Sequence, residues 1–359
     1  MEKLRVGFLG AGRISDLHAI EYLNNPKTEL YAVCDINPKN AQMRALVWGV
    51  PEERVFTDYH DLLSVAEIDL VEILTPHHLH FQHTLDAAEA GKHISLQKPM
   101  AINLAQADEM IAAADQAGVI FKVFENFIFY PPVVRAKELI DAGEIGEPLT
   151  IRIKSNAANS PNAWDVPLDA WAWRFTPDDC GGGPLVFDDG HHKFSLAWFF
   201  MGDIAEEVHA WIGKTPVTWR SHTVFLDSPA IVSFKFPGNR IGSLEVVYSP
   251  DLIIDTNHYA QDDRIEITGT KGVIWITRGH GKMMDVPPVI MYKDMKTYTF
   301  SDMPVGWEYS FINSTRHFID AYFAGEPPSL TAQEGREVLR FALAAQQSSQ
   351  AGKSIELTV

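Results

Sequence analysis

The sequence predicts two domains, an α/β Rossmann domain with a doubly wound parallel sheet and then an α+β domain with a mostly antiparallel sheet. The first prediction comes from short apolar runs that alternate with helical stretches up to about residue 124. The second comes from period-two alternation of apolar and polar residues in segments such as 230–236 and 264–268. A length of 359 residues also favours more than one core.

The individual elements follow from the same patterns. We expect parallel strands at 4–9, 30–34, 70–74, 93–96 and 120–124, and helices at about 13–24, 38–48, 79–90 and 104–117. Gly91 and Gly118 each follow a helical stretch, where glycine commonly ends a helix. The domains are expected to span 1–124 and 125–359. A C-terminal helix at about 331–351 is expected to pack back near the first domain.

Composition excludes several classes of partner. Lys plus Arg number 30 and Asp plus Glu number 47, which gives a formal net charge of -17 and argues against nucleic-acid binding. The two cysteines, Cys34 and Cys180, lack motif partners, so we expect no disulfide framework. We recognise neither a signal peptide nor a membrane-spanning stretch, and therefore expect a cytoplasmic protein that does not act on membranes.

A glycine-containing loop follows the first expected strand and opens a helix. It reads Gly10-Ala11-Gly12-Arg13-Ile14-Ser15. The first glycine permits a tight turn, and the second lets the backbone approach a pyrophosphate at the helix N-terminus. This placement predicts a dinucleotide site that includes Gly10, Gly12, Arg13 and Ile14.

Asp35 ends the second expected strand, 23 residues after Gly12. An acidic side chain there accepts hydrogen bonds from ribose hydroxyls and repels a 2′-phosphate, so we expect NAD rather than NADP. The alternative is that Asp35 only caps the next helix.

Four further stretches together resemble the glucose–fructose oxidoreductase / inositol dehydrogenase / MocA family. They are Thr75-Pro76-His77-His78-Leu79-His80, the segment from Glu89 to Pro99 that ends in Gln97-Lys98-Pro99, Asp188-Asp189-Gly190-His191-His192, and Ile267-Thr268-Gly269-Thr270-Lys271-Gly272. The resemblance covers essentially the whole chain. It implies a large, open sheet in the second domain, which would close over the nicotinamide of a Rossmann-bound cofactor.

The resemblance also implies the roles of particular residues. Lys98 and His192 would be the catalytic pair, with Asp188 as their nearby carboxylate. The remaining residues expected near the cofactor are Thr75, Pro76, His77, His80, Gln97 and Lys98. Those expected near the substrate, besides Lys98, Asp188 and His192, are Asn126, Trp164, Trp173, Arg174 and His191.

This chain departs from the family pattern at four places around the expected substrate pocket. His77 replaces a common Asn, Gln97 replaces Glu, Ile128 replaces a frequent Arg, and Ser195 replaces an Asp. These departures bear on the identity of the substrate more than on the fold or the cofactor.

Oxidation of a secondary alcohol requires a group that handles the hydroxyl proton. His192 suits that role because imidazole titrates near neutral pH, and Lys98 could donate to the same oxygen. We therefore expect a dehydrogenase that acts on a sugar, cyclitol or glycoside. Taken alone, a Lys-Pro pair is usually a solvated loop, and a single His is more often structural.

The segment from Asn159 to Phe175 contains three tryptophans. Aromatic faces pack against the C–H faces of sugars, although a core or a subunit interface explains such a segment equally well. His77, His78 and His80 also suggest a metal site, but no nearby Cys or carboxylate completes a ligand set, and we expect none.

Two other functions remain open at this point. An enzyme that retains NAD and cleaves glycosidic bonds through transient oxidation and elimination would share the same residues. A non-catalytic NAD-binding sensor would share the fold. We further expect a homo-oligomer formed through the second-domain sheet, because an exposed sheet face needs cover if it is apolar.

Overall fold

The computed structural model describes residues 3–219 and 222–357 and divides into two compact units. Of these described residues, the first unit comprises 3–126, 178–181 and 311–339, and the second comprises 127–177, 182–219, 222–310 and 340–357.

A parallel sheet organises the first unit. Among the described residues its strand order is β3-β2-β1-β4-β5-β6, with every neighbouring pair parallel. The strands are β1 (Leu4–Leu9), β2 (Thr28–Cys34), β3 (Val55–Phe56), β4 (Leu70–Ile73), β5 (His93–Gln97) and β6 (Phe121–Phe124). The helices between them are α1 (Ser15–Asn24), α2 (Pro38–Trp48), α3 (Tyr59–Leu63), α4 (His77–Glu89) and α5 (Leu104–Ala117). The predicted Rossmann architecture is confirmed.

The predicted helices and strands of this unit begin and end within about two residues of the observed ones. Two short elements, β3 and α3, were not predicted, because neither is long enough to show a periodic apolar pattern. Gly118 ends α5 with a positive φ of 66°, as expected of a helix-terminal glycine.

The described chain crosses between the two units at more than one place. The sequence suggested a division after residue 124 and a C-terminal helix at about 331–351 that packs back near the first domain; in the structure, residues 311–339 group with the first unit. The reason lies in their contacts with β6. The buried ammonium of Lys122 donates to both the carbonyl and the hydroxyl of Ser314 at 2.9 Å, and the Val123 amide donates to the carbonyl of Leu330 at 3.1 Å.

A large mixed sheet organises the second unit. Among the described residues the strand order is β16-β15-β14-β13-β7-β12-β11-β8-β17, and β9 pairs with β10 separately. The strands are β7 (Pro148–Asn159), β8 (Glu207–Ile212), β9 (Thr215–Trp219), β10 (His222–Leu226), β11 (Ala230–Phe236), β12 (Arg240–Ile253), β13 (Gln261–Gly269), β14 (Gly272–Ile276), β15 (Val289–Lys293), β16 (Lys296–Phe300) and β17 (Ile355–Glu356). Neighbours pair antiparallel except β7 and β12, which are parallel. This confirms the mostly antiparallel sheet.

Helices complete the part of the chain that follows the Rossmann strands. They are α6 (Pro131–Asp141), α7 (Leu168–Trp171), α8 (Pro177–Cys180), α9 (Gly190–Met201), α10 (Glu308–Ala324) and α11 (Ala332–Ala351). The predicted C-terminal helix at 331–351 corresponds to α11. No helix among the described residues has both the length and the apolar character needed to cross a membrane.

Side chains of β11 alternate between the two faces of the large sheet, as the period-two pattern predicted. Val232 and Phe234 are buried, whereas Ile231 and Lys235 are exposed. The buried face packs its aromatic rings against α11, where Phe341 lies 5.0 Å from the Phe234 ring. Burial of this face therefore fixes the register of the strand.

Candidate active site

The glycine loop has the geometry that a dinucleotide requires. Gly10 adopts φ of +101°, and a Cβ atom there would lie 2.9 Å from the backbone of Leu74. The space beside Gly12 is open. Ile14 supplies no side-chain cap to α1, so the helix N-terminus is open to an anion. Ser15 is fully buried and donates to the Gly12 carbonyl at 2.6 Å, which closes the turn.

Asp35 lies just beyond β2 and binds the same loop. Its carboxylate accepts the Ala11 amide at 2.8 Å and the Asn37 amide at 2.8 Å. The helix α2 is capped by Asn37, whose side chain accepts the Lys39 amide, so Asp35 is not its N-cap residue; Asp35 also accepts from Nδ2 of Asn40 at 3.4 Å. A carboxylate has about four acceptor positions, so these bonds leave capacity for a ribose hydroxyl.

Lys98 lies immediately after β5 and is half-buried. The side-chain carbonyl of Gln97 accepts the Lys98 amide at 2.8 Å. Because the carboxyl ends of parallel strands lie at one edge of the sheet, Gly10, Asp35 and Lys98 are on the ligand-binding edge of this unit. Asn126, which follows β6, is buried at the same edge.

The histidines at the start of α4 face backbone carbonyls. His77 donates through Nδ1 to the Cys180 carbonyl at 2.9 Å. The ring nitrogens of His80 lie 2.8 Å from the carbonyls of Pro99 and Thr75. Burial is the largest influence and lowers the pKa of His80 to about 3, so the neutral ring donates to one carbonyl at a time.

These contacts differ from the cofactor contact expected of His80. Both ring nitrogens already face backbone carbonyls, and the one at Pro99 connects His80 to the segment that contains Lys98. Thr75 is similarly engaged, since its hydroxyl lies 3.0 Å from Nδ1 of His83, and Pro76 precedes the first residue of α4.

In the second unit, a π-helical turn (Pro184–Asp189) leads directly into α9 and carries the other expected catalytic residues. Asp188 and His192 are both nearly buried, at 7% and 6% exposure. His191 points elsewhere, because its Nδ1 donates to the Phe187 carbonyl at 2.5 Å. Such π-helical turns are frequent at functional sites.

A buried carboxylate fixes the start of this turn. Asp227 accepts the amides of Leu185 and Val186 at 2.8 and 2.7 Å. Burial outweighs these hydrogen bonds and raises the pKa of Asp227 to about 6. No local motif pointed to Asp227, because it lies some forty positions along the chain from the turn whose amides it accepts.

A buried ion network supports the residue next to His192. The ammonium of Lys193 lies 3.0 Å from carboxylate oxygens of both Asp189 and Asp263. It also lies 4.7 Å from the centre of the Phe127 ring, and the His192 ring packs on Phe127 at 4.5 Å. Both carboxylates raise the pKa of Lys193, against the effect of burial, and keep it charged.

Arg174 connects the tryptophan-containing segment, Asn159 to Phe175, with Asp188. The guanidinium of Arg174 donates to Asp188 at 2.9 Å and stacks 4.2 Å from the centre of the Trp173 ring. It also lies 5.3 Å from the ring of Trp171. The structure thus brings together three residues that the sequence assigned to substrate binding: Trp173, Arg174 and Asp188.

Aromatic contacts connect this segment to His192 within the second unit. Trp164 packs near Tyr259 and Trp307, with ring centres 5.3 and 6.3 Å apart. Trp307 lies 6.4 Å from Phe127, on which His192 packs. The sequence missed Tyr259, Phe127 and Trp307, because aromatic residues far apart along the chain carry no local motif.

One signal for the ion network was present in the sequence. Asp189 and Lys193 are four residues apart, which is the spacing of an ion pair on a helix. The partner Asp263 comes from β13 and could not be recognised in the same way. Among the residues that the structure describes, no group of three His, Cys, Asp or Glu side chains is arranged to hold a metal.

The fold and the glycine loop define an oxidoreductase that binds NAD in a Rossmann domain. Residues 4–125 match the profile of an oxidoreductase family with an NAD-binding Rossmann fold, and residues 133–275 match the GFO/IDH/MocA C-terminal domain. The chain belongs to this family, which confirms the resemblance and the expected cofactor. The assignments of individual site residues stay predictions.

Relatives of the chain include named dehydrogenases. It is 26% identical to myo-inositol 2-dehydrogenase of Thermotoga maritima, over 99% of this chain and 98% of that protein. It is 32% identical to D-glucoside 3-dehydrogenase of Escherichia coli K12, over 55% of this chain and 54% of that protein. Among solved structures, levoglucosan dehydrogenase in complex with NADH and levoglucosan matches over the full length of both chains, with a TM-score of 0.81 and 22% identity. That last likeness concerns the fold.

Proposed function

We propose that this protein is an NAD-dependent dehydrogenase that oxidises or reduces a secondary alcohol of a sugar, cyclitol or glycoside. The observation that carries the proposal is the aromatic cluster that runs from Trp164 through Trp307 and Phe127 to His192. Aromatic faces bind the C–H faces of sugar rings, and His192 stands at the end of this cluster as an acid–base group. The names of the relatives, an inositol and a glucoside dehydrogenase, support the same substrate class.

Lys98 and His192 divide the chemistry of the alcohol between them in this proposal. Bound NAD accepts the hydride from the alcohol carbon. His192 takes the hydroxyl proton as general base, and Lys98 donates a hydrogen bond to the same oxygen. Asp188 lies four residues before His192, a spacing that favours one helical face, and with Arg174 it offers hydrogen-bonding groups to hydroxyls.

A cofactor-reduction screen tests the proposed activity. The purified protein is supplied with NAD and a panel of sugars, inositols and glycosides, and NADH formation is followed by absorbance. We expect net accumulation of NADH with at least one secondary alcohol of this class. Glycoside cleavage without accumulation of NADH would instead favour the enzyme that retains NAD, and absence of any turnover with nucleotide still bound would favour the sensor.

Two substitutions test the roles of the proposed pair. Loss of a general acid or base typically lowers the rate by about 10²–10⁴-fold, so Lys98→Ala and His192→Ala should each depress turnover by that order. NAD affinity should stay nearly unchanged. The double variant should be less than additive, because both residues serve one proton transfer.

His191→Ala provides the matched control for this pair. It should cost much less turnover, because the His191 ring already donates to the helix backbone. If His191 proved essential and His192 dispensable, the proposed assignment of the base would be off by one residue. If neither mattered, Lys98, or Asp188 acting through a water, would become the base to test.

We also propose that the outward face of the large sheet binds a second copy of the chain. Trp211, Ile231 and Ile241 are exposed on it, beside ion pairs such as Lys154 with Glu245. Such a mixed face is typical of an interface with both apolar and charged contacts. Light scattering should report an oligomer at micromolar concentration, and a monomer there would count against the proposal.

A further inference from the structure

A chain of hydrogen bonds connects the peptide group of Lys98 to the buried carboxylate of Glu72. Starting from that residue, the Lys98 amide lies 2.8 Å from Oε1 of Gln97, and Nε2 of Gln97 lies 2.8 Å from Nε2 of His18. Nδ1 of His18 then lies 2.6 Å from the carboxylate of Glu72. The His18 and Glu72 side chains are fully buried. All four residues belong to the first unit.

The chemistry of these groups allows one direction for the chain. A peptide N–H only donates, so Gln97 must present its carbonyl oxygen to Lys98 and its NH₂ group to His18. An NH₂ group only donates as well, and Nε2 of His18 must therefore accept. The proton of the neutral ring is then on Nδ1, which donates to Glu72.

We propose that His18 and Glu72 are positioning residues for Lys98 and act on it through Gln97. The inference rests on the proposed role of Lys98 in the reaction. Every donor in this series of hydrogen bonds points toward the Glu72 carboxylate. Each bond therefore polarises the next and strengthens the hydrogen bond from the Lys98 amide to Gln97.

The surroundings of the chain favour this arrangement. Tyr22 donates its hydroxyl to the other Glu72 oxygen at 3.0 Å. Burial, with Glu72 beside it, raises the pKa of Tyr22, which keeps that donor protonated. The His18 ring packs 4.0 Å from the ring of Phe124, so it cannot turn without displacing the core.

The Lys98 backbone is thereby held on both sides. Its own amide is bound by Gln97, and the carbonyl of the following Pro99 accepts from His80 at 2.8 Å. Two fixed points on adjacent residues restrict the backbone from which the Lys98 side chain extends. A reacting group needs this kind of support, since small displacements lower the rate steeply.

Gln97 is the residue type that this chain of bonds requires. A glutamate at the same position, which the family pattern commonly has, could accept from Lys98 but could not donate to Nε2 of His18. It would need an additional proton between the two side chains. Gln97 and His18 are therefore matched to one another in this protein.

The first test reads the His18 tautomer directly by NMR of the full-length protein labelled with ¹⁵N-histidine. His18 is assigned by the signal lost in His18→Gln. We expect a protonated Nδ1 and an unprotonated Nε2. A ring protonated on Nε2 would overturn the proposed direction, whatever the activity of the protein.

The second test measures hydrogen exchange of the Lys98 amide by NMR of the ¹⁵N-labelled full-length protein. Gln97→Met and His18→Leu should each accelerate exchange by about tenfold, the effect of losing one hydrogen bond. His18→Gln should retain most of the protection, since its side-chain carbonyl can accept from Gln97.

His93→Leu is the matched control for this exchange experiment. His93 lies on the same strand and also makes a hydrogen bond, because its Nδ1 accepts the Ile120 amide at 2.9 Å. Its substitution should leave exchange at Lys98 unchanged. Equal effects of His18→Leu and His93→Leu would overturn the proposal.

Kinetics then separate the positioning role from the proposed activity. With a substrate found in the alcohol panel, His18→Leu should lower kcat by about tenfold with the KM for NAD unchanged, and His18→Gln should restore most of it. Turnover that survives Lys98→Ala would contradict the proposed function but would leave the tautomer and exchange results intact.

Discussion

Lys98 and His192 lie on segments that are held in place by different chemistry. The Lys98 segment depends on directed hydrogen bonds through Gln97 and His18, with one buried carboxylate at the far end. The segment of His192 depends on the buried ammonium of Lys193 between the carboxylates of Asp189, which is half-buried, and Asp263, which is buried. The first arrangement fixes a backbone amide, and the second fixes a helical turn.

The two arrangements should fail in different ways. Loss of one neutral hydrogen bond leaves small polar groups that rearrange at modest cost. Loss of one member of a buried ion network leaves an uncompensated charge in a region of low dielectric. Substitutions of the Lys193 ion network should therefore reduce stability most, whereas Gln97→Met, which removes only neutral hydrogen bonds, should act mainly on the position of Lys98.

Lys193→Met should produce the largest loss of stability of all the substitutions that compare the two segments. It removes the cation and leaves the buried Asp263 and the half-buried Asp189 close together. We expect the free energy of unfolding to fall by about 3–5 kcal/mol, as for other buried pairs that lose one partner. Urea unfolding followed by tryptophan fluorescence measures it.

Two further variants identify the cause of that loss. Lys235→Met removes a cation from an exposed pair with Glu207 on the same sheet and should matter far less. Replacing Lys193, Asp189 and Asp263 together by apolar residues should recover part of the stability, because no buried charge is left. A loss as large in this triple variant as in Lys193→Met would show that packing, not charge, is responsible.

Asp227→Asn should produce an intermediate effect that depends on pH. Burial raises the pKa of Asp227 from 3.8 to about 6, so the folded protein binds more protons than the unfolded chain between these values. The free energy of unfolding should therefore fall by about 2 kcal/mol at this site as the pH rises from 4 to 6.

The variant should lack this pH-dependent contribution, because an asparagine side chain does not titrate in this range. Unfolding free energies of both proteins, measured from pH 4 to 7, give the difference curve. Parallel curves would mean that the two amide hydrogen bonds to Asp227 offset its burial fully.

The sequence predicted the first unit better than the second for a physical reason. The glycine loop must turn at Gly10 and admit a phosphate beside Gly12, and both demands leave a local signature in neighbouring residues. The strands of a parallel sheet are continuous apolar runs, so their order along the chain was also visible.

Contacts between distant segments left no such signature. The sequence pointed to His192 and Asp188, but Phe127, Asp227 and Asp263 reach this region from other elements. It also named His80 and Gln97 as cofactor contacts, whereas their polar atoms hold the Lys98 segment. A sequence motif identifies candidate site residues, whereas the partners of their polar atoms depend on the tertiary structure.

Substitution of Asp35 should change protein stability least. Unlike the buried carboxylates of Asp227 and Asp263, Asp35 lies at the edge of the first sheet, where ligands bind. It binds the glycine loop through Ala11 and, as we propose, the ribose of NAD. Its substitution acts on a ligand more than on the stability of the unit. Asp69 offers a matched control, since it also accepts a backbone amide, that of Arg5, but lies just before β4 at the opposite edge.

Asp35→Ala should weaken NADH binding by about 10–100-fold, the range for hydrogen bonds to a charged group. NADPH affinity should fall less or rise, because the carboxylate no longer repels a 2′-phosphate. Fluorescence titration of both cofactors against both proteins measures the ratio, and Asp69→Ala should leave that ratio unchanged. Equal affinity of the unmodified protein for NADH and NADPH would contradict the role given to Asp35 and leave its hydrogen bonds to the Ala11 and Asn37 amides as its function.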